Sequence, residues 1–271
     1  MPELVAVLRS HGWHVELLPT AGPGSAPGQV LARIEHGDLG AVFAYGGDGT
    51  LREAAQGLVG SDVALAPLPG GTTNVVCHSL GLPADPVTAA DALACGVSRE
   101  ISVGRLGNRV FLMQVSAGID AAVMASVTGE SKARWGRGAV LVEGLVLAAR
   151  HRFEPIEVQH GHEVIAGSFV AIANLPHYAG PFELAEVAAH EPELELVVHR
   201  ATGRRAAFGF TADLIRGRHG ERPDVLRRRV QAVTLLGPRE IPLQIDGDVC
   251  DATLPVTARV ASERLRVLVS R

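Results

Sequence analysis

The sequence predicts an N-terminal three-layer α/β domain, a C-terminal antiparallel β-sandwich domain and an active cleft between the two. The first prediction follows from two apolar runs, residues 41–45 and 63–68, which each end in a glycine-rich turn and lead into a helical segment. Strands and helices that alternate in this way form parallel sheets, which bind ligands at the carboxyl ends of their strands. The second prediction follows from alternating apolar and polar residues beyond about residue 99, with a tight turn at Gly107-Asn108 that is typical of a hairpin.

The elements of the first domain follow from apolar spacing along residues 1–98. Helices are predicted at residues 3–11, 29–36 and 51–58, and an N-cap aspartate followed by a proline predicts another over residues 85–95. The pattern of residues 13–18 predicts a strand that precedes the two central strands.

Residues 99–271 are assigned to the second domain, whose last strand, residues 264–270, can return to the first. Strands are predicted at residues 154–161, 162–175 and 225–236, and helices at residues 116–127, 139–149 and 202–218. The 139–149 segment is the most apolar of the chain, but it contains a glutamate and is far shorter than the roughly 20 residues that span a bilayer.

Composition and charge exclude several classes of protein. The chain has 271 residues, a net charge of −4 and 4% aromatic residues, which does not favour a general nucleic-acid binder and leaves the cores to aliphatic side chains. Its three cysteines, Cys77, Cys95 and Cys250, are too few and too scattered for a disulfide framework or a zinc site. A signal peptide is not expected either, because no basic region and long apolar stretch follow Met1, so a cytoplasmic location is expected.

The two glycine-rich turns, GGDGT at residues 46–50 and PGGTTN at residues 69–74, carry the most chemical information in the chain. Glycines let the backbone approach a bound group closely, and backbone N–H groups at the start of a helix favour phosphate. A carboxylate at Asp48 would repel a bare phosphate, so it suits a magnesium ion or a hydroxyl donor, and we expect it to have no packing role. The alternative is two ordinary strand-to-helix turns.

The same motifs carry a resemblance to a known family. GGDGTLREAAQGL from residue 46, followed by LPGGTTNVVCHSLGLP from residue 68, resembles the diacylglycerol kinase catalytic domain of bacterial lipid kinases of the diacylglycerol kinase and YegS type. GGDGT alone also occurs in NAD kinases, whereas the second motif is typical of the lipid-kinase branch. The single lysine, Lys132, stands outside any G-x-x-x-x-G-K-[ST] sequence, which excludes a Walker-type phosphate loop.

The resemblance implies a Rossmann-like nucleotide-binding domain that takes ATP with Mg²⁺ and transfers a phosphoryl group to a lipid hydroxyl group, as in phospholipid biosynthesis. Members of the family begin one strand earlier than this sequence does. The residues that the resemblance assigns to the nucleotide site are Thr20, Gly46, Gly47, Asp48, Gly49, Thr50, Leu51, Arg52, Gly71 and Thr72. Asp48 is also assigned to the catalytic magnesium ion or its water shell.

A second candidate motif, Asp246-Gly247-Asp248, stands between two alternating strands. Its simplest interpretation is a hairpin turn without further function. In the family, the motif at this place ends in a glutamate that is regarded as the proton acceptor, so the resemblance assigns that role to Asp248, with Asp246 supporting or replacing it. Because aspartate is shorter than glutamate, the carboxylate is set back by about one C–C bond.

The resemblance also implies a structural magnesium ion in the second domain. Members of the family hold it with an aspartate and nearby backbone carbonyl groups, and Glu191 stands at that position, followed by Pro192 in place of the usual glycine. Because glutamate is longer than aspartate and proline stiffens the turn, an acidic surface loop is an equal alternative.

Partners and location are predicted from charge and from the resemblance. Nine arginines stand against three carboxylates within residues 199–230, which indicates either an anionic membrane surface or solvated arginines. The resemblance implies a lipid substrate and a cytoplasmic protein that associates peripherally with the membrane. Two other functions stay open. A catalytically impaired lipid- or nucleotide-binding homologue is favoured by the absent first strand and by the two Glu/Asp exchanges, whereas the Asn-Glu signature of NAD kinases is not found.

Overall fold

The computed structural model describes residues 1–37, 39–118, 155–178 and 182–270. The chain forms two compact units, Met1–Val103 together with Ala261–Arg271, and Gly104–Val260. The sequence placed the division after residue 98, but the strand Val97–Ile101 pairs with the last strand of the chain and so belongs to the first unit. The helices predicted at residues 116–127 and 139–149 lie largely or wholly outside the described residues.

The first unit is a four-stranded sheet with helices packed on it. Its helices are α1 (Pro2–Ser10), α2 (Ala26–Glu35), α3 (Asp48–Leu58), α4 (Val75–Ser79) and α5 (Pro86–Ala94). Its strands are β1 (Ala41–Gly46), β2 (Ala64–Pro69), β3 (Val97–Ile101) and β16 (Leu265–Val269), in the order β1-β2-β16-β3. β1 and β16 run parallel to β2, and β3 runs antiparallel to β16, which confirms the predicted α/β domain.

Local sequence explains where α5 starts. The side chain of Asp85 accepts hydrogen bonds from the backbone N–H of Thr88 at 2.8 Å and from its hydroxyl at 2.7 Å, so it is the N-cap that the sequence predicted for α5. These hydrogen bonds hold the pKa of Asp85 below its ordinary value. Pro86 follows as the first helical residue, where its missing N–H costs nothing.

The predicted strand at residues 13–18 is wrong, because the segment pairs with no described strand. Side chains hold it instead: the Trp13 ring packs edge-on against Phe43 of β1 with centroids 5.2 Å apart, and its indole N–H donates to the carbonyl of Ala94 at 3.2 Å. A cavity of about 650 Å³ is lined by this segment, by α1, by α2 and by β1, the end strand of the sheet. An extended segment needs a neighbouring strand to form a ladder, and none is placed beside it here.

The second unit contains two six-stranded antiparallel sheets. The first has the order β11-β10-β9-β6-β13-β14, with β6 (Gln114–Gly118), β9 (Phe169–Ala173), β10 (Leu194–His199), β11 (Val225–Val230), β13 (Leu243–Ile245) and β14 (Asp248–Cys250). The second has the order β5-β4-β15-β12-β7-β8, with β4 (Gly104–Leu106), β5 (Arg109–Phe111), β7 (Ile156–His160), β8 (Glu163–Gly167), β12 (Ala232–Leu236) and β15 (Val256–Val260). A helix, α6 (Arg204–Ile215), follows β10.

Apolar side chains from both sheets share one core, which makes the unit a β-sandwich as the sequence predicted. Val115, Ile172 and Leu196 come from the first sheet, and Val158 and Leu235 come from the second, and all five are fully buried. The hairpin predicted at Gly107-Asn108 is confirmed by the pairing of β4 with β5. None of the helices in the described ranges has the length and apolar composition that crossing a bilayer requires.

The single strand predicted at residues 225–236 is two strands. β11 lies in the first sheet and β12 in the second, so the chain crosses from one sheet to the other at Gln231. Apolar and polar residues alternate on both sides of this crossing, and alternation alone does not report a change of sheet. The crossing places the arginines of β11 beside β10 rather than beside β7.

Candidate functional site

The two glycine turns of the first unit touch each other through their backbones. The N–H of Gly70 donates to the carbonyl of Gly46 at 2.9 Å, directly beyond the last pair of the β1–β2 ladder. A Cβ on Gly70 would lie 2.9 Å from the Cα of Gly46, and one on Gly71 would lie 2.6 Å from the Cα of Gly47. The glycines are therefore required by the contact between the turns, in addition to any approach of a ligand.

Asp48 connects the first turn to the helix behind the second. Its buried carboxylate accepts hydrogen bonds from the Thr73 hydroxyl at 3.0 Å and from the N–H groups of Val75 and Val76 at 3.1 and 3.0 Å. These are the first N–H groups of α4, so Asp48, a residue of α3, caps the start of a different helix. The expectation that this carboxylate has no packing role is wrong, because it fixes the start of α4.

The charge of Asp48 also acts on the next turn of α4. Burial, together with the negative charge of Asp48, raises the pKa of the Cys77 thiol to about 12. A thiol with such a pKa is protonated at neutral pH and does not act as a nucleophile. Cys77 is accordingly a buried core residue of the first unit.

Asn74 shapes the second turn. It adopts a left-handed conformation with φ of 47°, which asparagine tolerates better than most residues. Its side-chain oxygen accepts the N–H of Gly71 at 2.8 Å and its side-chain nitrogen donates to the carbonyl of Gly71 at 3.0 Å. The turn is thereby closed on itself, which leaves Gly71 and Thr72 exposed at its tip.

The start of α3 has backbone donors available to a ligand. Its N-cap, Gly47, makes no side-chain cap, and the first intrahelical bond of the turn joins the N–H of Leu51 to the carbonyl of Gly47. Among the described residues, the N–H groups of Asp48, Gly49 and Thr50 donate to no acceptor. Such orphan donors, with the positive end of the helix dipole behind them, favour an anion such as phosphate.

The remaining residues of the predicted nucleotide site fall into three groups. Arg52 lies in the first turn of α3 and is partly exposed. Leu51 is fully buried in the core, so only its backbone belongs to the turn. Thr20 is exposed and lines the cavity beside β1 that Thr50 and Tyr45 also line. The structure thus brings the predicted residues of the first unit to the carboxyl end of β1 and β2 and to the adjoining cavity.

The Asp246-Gly247-Asp248 turn of the second unit divides its two carboxylates. Asp246 is buried, has φ of 50°, and accepts hydrogen bonds from the N–H groups of Leu112, Met113 and Gln114 at 2.7, 2.8 and 2.9 Å. Asp248 opens β14 and is exposed. The two carboxylates therefore differ in kind, since Asp246 anchors a loop and Asp248 reaches solvent.

Sequence analysis missed the polar residues that hold this turn. The buried side chain of Gln244 accepts the N–H of Gly247 at 2.7 Å and donates to the Ser116 hydroxyl at 2.8 Å. The buried Asn174 donates to the carbonyl of Leu112 at 2.8 Å, on the loop that Asp246 caps. The signal in the sequence was Gln244 itself, which stands among apolar residues of a strand. A buried amide requires hydrogen-bond partners, so its presence there indicates a polar network.

Glu191, predicted to hold a structural magnesium ion, contacts an arginine. Its carboxylate accepts from Arg229 of β11 at 2.5 Å and from the N–H of Ala188 at 3.4 Å. The neighbouring buried Glu195 is paired with Arg227 at 2.5 Å. Across the described part of the chain there is no group of three or more His, Cys, Asp or Glu residues placed to hold a metal ion. In this structure the carboxylate of Glu191 contacts the guanidinium of Arg229, and its role toward a magnesium ion stays a prediction.

Comparisons with known proteins agree with this architecture. Residues 1–106 match the model of the diacylglycerol kinase catalytic domain, and residues 113–269 match that of the YegS C-terminal NAD kinase beta sandwich-like domain. The chain is 29% identical to a protein of Pseudomonas fluorescens named as a YegS-like lipid kinase, over 97% of this chain and 89% of the relative. It is 23% identical to a diacylglycerol kinase of Staphylococcus aureus, over 92% of this chain and 80% of the relative.

Solved structures show the same fold at lower identity. The crystal structure of a diacylglycerol kinase from Bacillus anthracis superposes with a TM-score of 0.80 at 19% identity, over 99% of this chain and 90% of that chain. An NAD kinase from Archaeoglobus fulgidus in complex with ATP superposes with a TM-score of 0.58 at 11% identity, over 100% of this chain and 89% of that chain. These two solved structures therefore share the fold of this chain.

Proposed function

The chain belongs to the lipid kinase family that joins a diacylglycerol kinase catalytic domain to a YegS-type C-terminal domain, and we propose that it transfers the γ-phosphoryl group of ATP to a lipid hydroxyl group. The observation that supports this most is the pair of interlocked glycine turns beside the uncapped start of α3. Phosphoryl transfer requires charge stabilisation on the phosphates and a positioned acceptor rather than covalent chemistry by the protein.

In this proposal the phosphates of ATP, bound with its magnesium ion, contact the backbone N–H groups of residues 48–50 and the exposed tip at Gly71 and Thr72. Arg52 adds positive charge at the first turn of α3. Asp48 contributes by holding the second turn in place, since both of its oxygens accept hydrogen bonds. Thr20 contacts the nucleotide from the cavity beside β1. The geometry favours the backbone as the principal phosphate ligand.

The proposal assigns the hydroxyl proton to Asp248. Its exposure supports this role, because an acceptor must be reachable by the substrate, whereas the oxygens of Asp246 are occupied by three backbone donors. Asp246 then has a positioning role: it fixes the loop at residues 112–114 against the turn that carries Asp248. This arrangement does not favour Asp246 as a substitute for Asp248 in the reaction.

Labelled ATP offered with a panel of lipids in mixed micelles tests the proposal. The panel contains diacylglycerol, a sphingoid base, phosphatidylglycerol and an isoprenoid alcohol, with NAD as a further acceptor because an NAD kinase shares the fold. We expect label in one lipid and none in NAD. Label in NAD alone would replace the proposal by NAD phosphorylation.

A catalytically impaired, nucleotide-binding homologue is the second candidate. It is favoured by the segment at residues 13–20, which carries Thr20 but lies outside the sheet and beside an open cavity. Titration of the protein with ATP and magnesium separates the two candidates. Binding without turnover on any lipid of the panel supports the second candidate, and binding with turnover supports the first.

A further inference from the structure

Seven of the nine arginines at residues 199–230 form two sets, and of the other two, Arg218 contacts Glu221 at 3.3 Å. Four of them have counter-ions within the second unit: Arg222 contacts Asp213 and Asp224 at 2.7 and 2.8 Å, Arg227 contacts Glu186 at 2.7 Å, Arg228 contacts Glu163 at 2.6 Å, and Arg229 contacts Glu191 at 2.5 Å. The pKa of Glu186 and of Glu163 is lowered by the hydrogen bonds from these arginines. The positive charge of this set is therefore neutralised by the fold.

The second set lies on α6. Within the described ranges, Arg204 and Arg205 have no carboxylate partner, and Arg216 is 3.8 Å from an aspartate that Arg222 already contacts more closely. Arg204, Arg205 and Arg216 are all exposed. Three of the arginines without a close carboxylate therefore lie on α6 and at its C-cap, Arg216, and exposed Arg200, which donates to the carbonyl of Pro223, lies outside the helix.

The same face of α6 carries exposed apolar side chains. Phe208 is 60% exposed and Ile215 is 38% exposed. At 100° per residue, Arg204, Phe208 and Ile215 lie within about 40° of one another around the helix, and Arg205 and Arg216 lie together on one side of them, about 60–80° farther round from Phe208. Two large apolar residues with arginines on one face form a continuous surface, in contrast to scattered single exposed residues.

Folding of the second unit does not require this outer face. The inner face of α6 presents Phe210 and Leu214, which are buried against Phe169, Leu184 and Val197. That contact secures the helix. Within the described part of the chain, its outer face, defined by Arg204, Arg205, Phe208, Ile215 and the C-cap residue Arg216, is exposed. Exposed phenylalanine is costly in water, so a surface that keeps one beside arginines is suited to a partner that is both apolar and anionic.

We propose that the outer face of α6 is the surface on which the protein binds an anionic phospholipid bilayer. The arginines contact lipid phosphates, and the Phe208 and Ile215 side chains enter the boundary between headgroups and acyl chains. The inference rests on the proposed function, because a lipid kinase must reach a substrate that is held in a membrane. It goes further by assigning the contact to one helix and by excluding the arginines of β11.

Sedimentation with vesicles tests the assignment. We expect the protein to bind vesicles of phosphatidylglycerol and phosphatidylcholine at low salt, to be released at high salt, and to bind pure phosphatidylcholine weakly. Arg204→Gln with Arg205→Gln should lower the partition coefficient by about thirtyfold, at roughly fivefold for each arginine. Phe208→Ser with Ile215→Ser should lower it by at least about tenfold at either salt concentration.

Two matched variants serve as controls. Val164 is 54% exposed on β8, close to the value for Phe208, and Arg228 is an arginine whose charge is met by Glu163. Val164→Ser and Arg228→Gln should bind vesicles as the unchanged protein does, and circular dichroism should show all variants folded. The proposal would be overturned if the protein bound neutral vesicles as well as anionic ones, or if both α6 variants bound vesicles as the unchanged protein does. The outer face of α6 would then be a surface for a protein partner or a solvated surface.

A soluble substrate separates this inference from the proposed function. Phosphorylation of a short-chain lipid below its micelle concentration does not require a bilayer, so the α6 variants should retain that activity while they lose activity on vesicles. Vesicle binding without any lipid phosphorylation would refute the kinase and leave the binding surface standing. Full phosphorylation of vesicle lipid by the α6 variants would refute the surface and leave the kinase standing.

Discussion

The aspartates in the glycine-containing turns of the two units are of two kinds, buried and exposed. Asp48 in the first unit and Asp246 in the second are buried, and each accepts hydrogen bonds from at least two backbone N–H groups. Asp248, two residues beyond Asp246, is exposed at the start of β14. Of the two carboxylates in this turn, the one exposed to solvent is therefore that of Asp248.

Backbone conformation causes this difference. Asp246 has a left-handed conformation with φ of 50°, which directs its side chain to the loop at residues 112–114. Asp48 is the first residue of α3, and its side chain reaches the start of α4 instead of capping its own helix. Two of the three carboxylates that sequence analysis assigned to catalysis therefore hold the structure around the turns.

The largest expected effect concerns Asp248. Asp248→Asn removes the proposed proton acceptor and should lower turnover by about two to four powers of ten, with ATP affinity nearly unchanged. The free energy of unfolding should change by less than about 0.5 kcal/mol because the side chain is exposed. Steady-state kinetics and urea unfolding measure both quantities.

Asp248→Glu is the matched control, since it keeps the carboxylate and restores the residue that the family carries. It should retain turnover. Normal turnover by Asp248→Asn would remove Asp248 from the mechanism and place both carboxylates of the turn among the structural residues.

Asp246→Asn should have the next largest effect, and on stability first. The amide keeps one acceptor oxygen but turns an N–H group toward backbone donors, so the second unit should lose about 3 kcal/mol of unfolding free energy. Urea unfolding compares it with Asp248→Asn two residues away. If the two variants are equally stable, the anchoring role of Asp246 is wrong.

Asp48→Asn should cost about 2 kcal/mol in the first unit, because one of two backbone bonds and the charge at the start of α4 are lost. Nucleotide affinity should fall with it, since the second glycine turn loses its support. Thr73→Val removes only the hydroxyl donor to Asp48 and should cost about 1 kcal/mol. A fully stable Asp48→Asn protein with altered magnesium dependence would restore the metal role that the sequence suggested.

Metal removal should have the smallest effect. Because Arg229 forms an ion pair with Glu191, removal of metal ions with EDTA should shift the melting temperature by less than about 1 °C. A site saturated at a hundred times its Kd would add about 2.7 kcal/mol, which corresponds to roughly 5–10 °C for a protein of this size. Arg229→Gln removes the guanidinium and is the control, because stabilisation by magnesium in that variant alone would show that the arginine excludes the ion.

Sequence alone predicted the elements whose signals are local. Two apolar runs ending in glycine turns gave β1 with α3 and β2 with α4, and Asp85-Pro86 marked the start of α5. Alternation and Gly107-Asn108 predicted the β4–β5 hairpin. Each of these signals depends on residues that are neighbours along the chain.

The rest depends on contacts between distant residues. Nothing at residues 13–18 reports whether a strand lies beside them, and nothing at Gln231 reports that the chain changes sheets. The role of Asp48 was misjudged because its donors stand about 27 residues away, in a helix whose start the sequence did not connect to it. The counter-ions of Arg227 and Arg229 likewise come from β10 and the loop before it.

The position of β16 determines the order in which the protein can be built. β16 lies between β2 and β3 in the first sheet, with Leu265 and Val267 buried, yet the whole of Gly104–Val260 is synthesised between β3 and β16. During synthesis on the ribosome, all strands of the sandwich unit are therefore made before β16, which the sheet of the first unit needs between β2 and β3. The first unit is thus the last to fold, and deletion of residues 265–269 should unfold it while the sandwich persists.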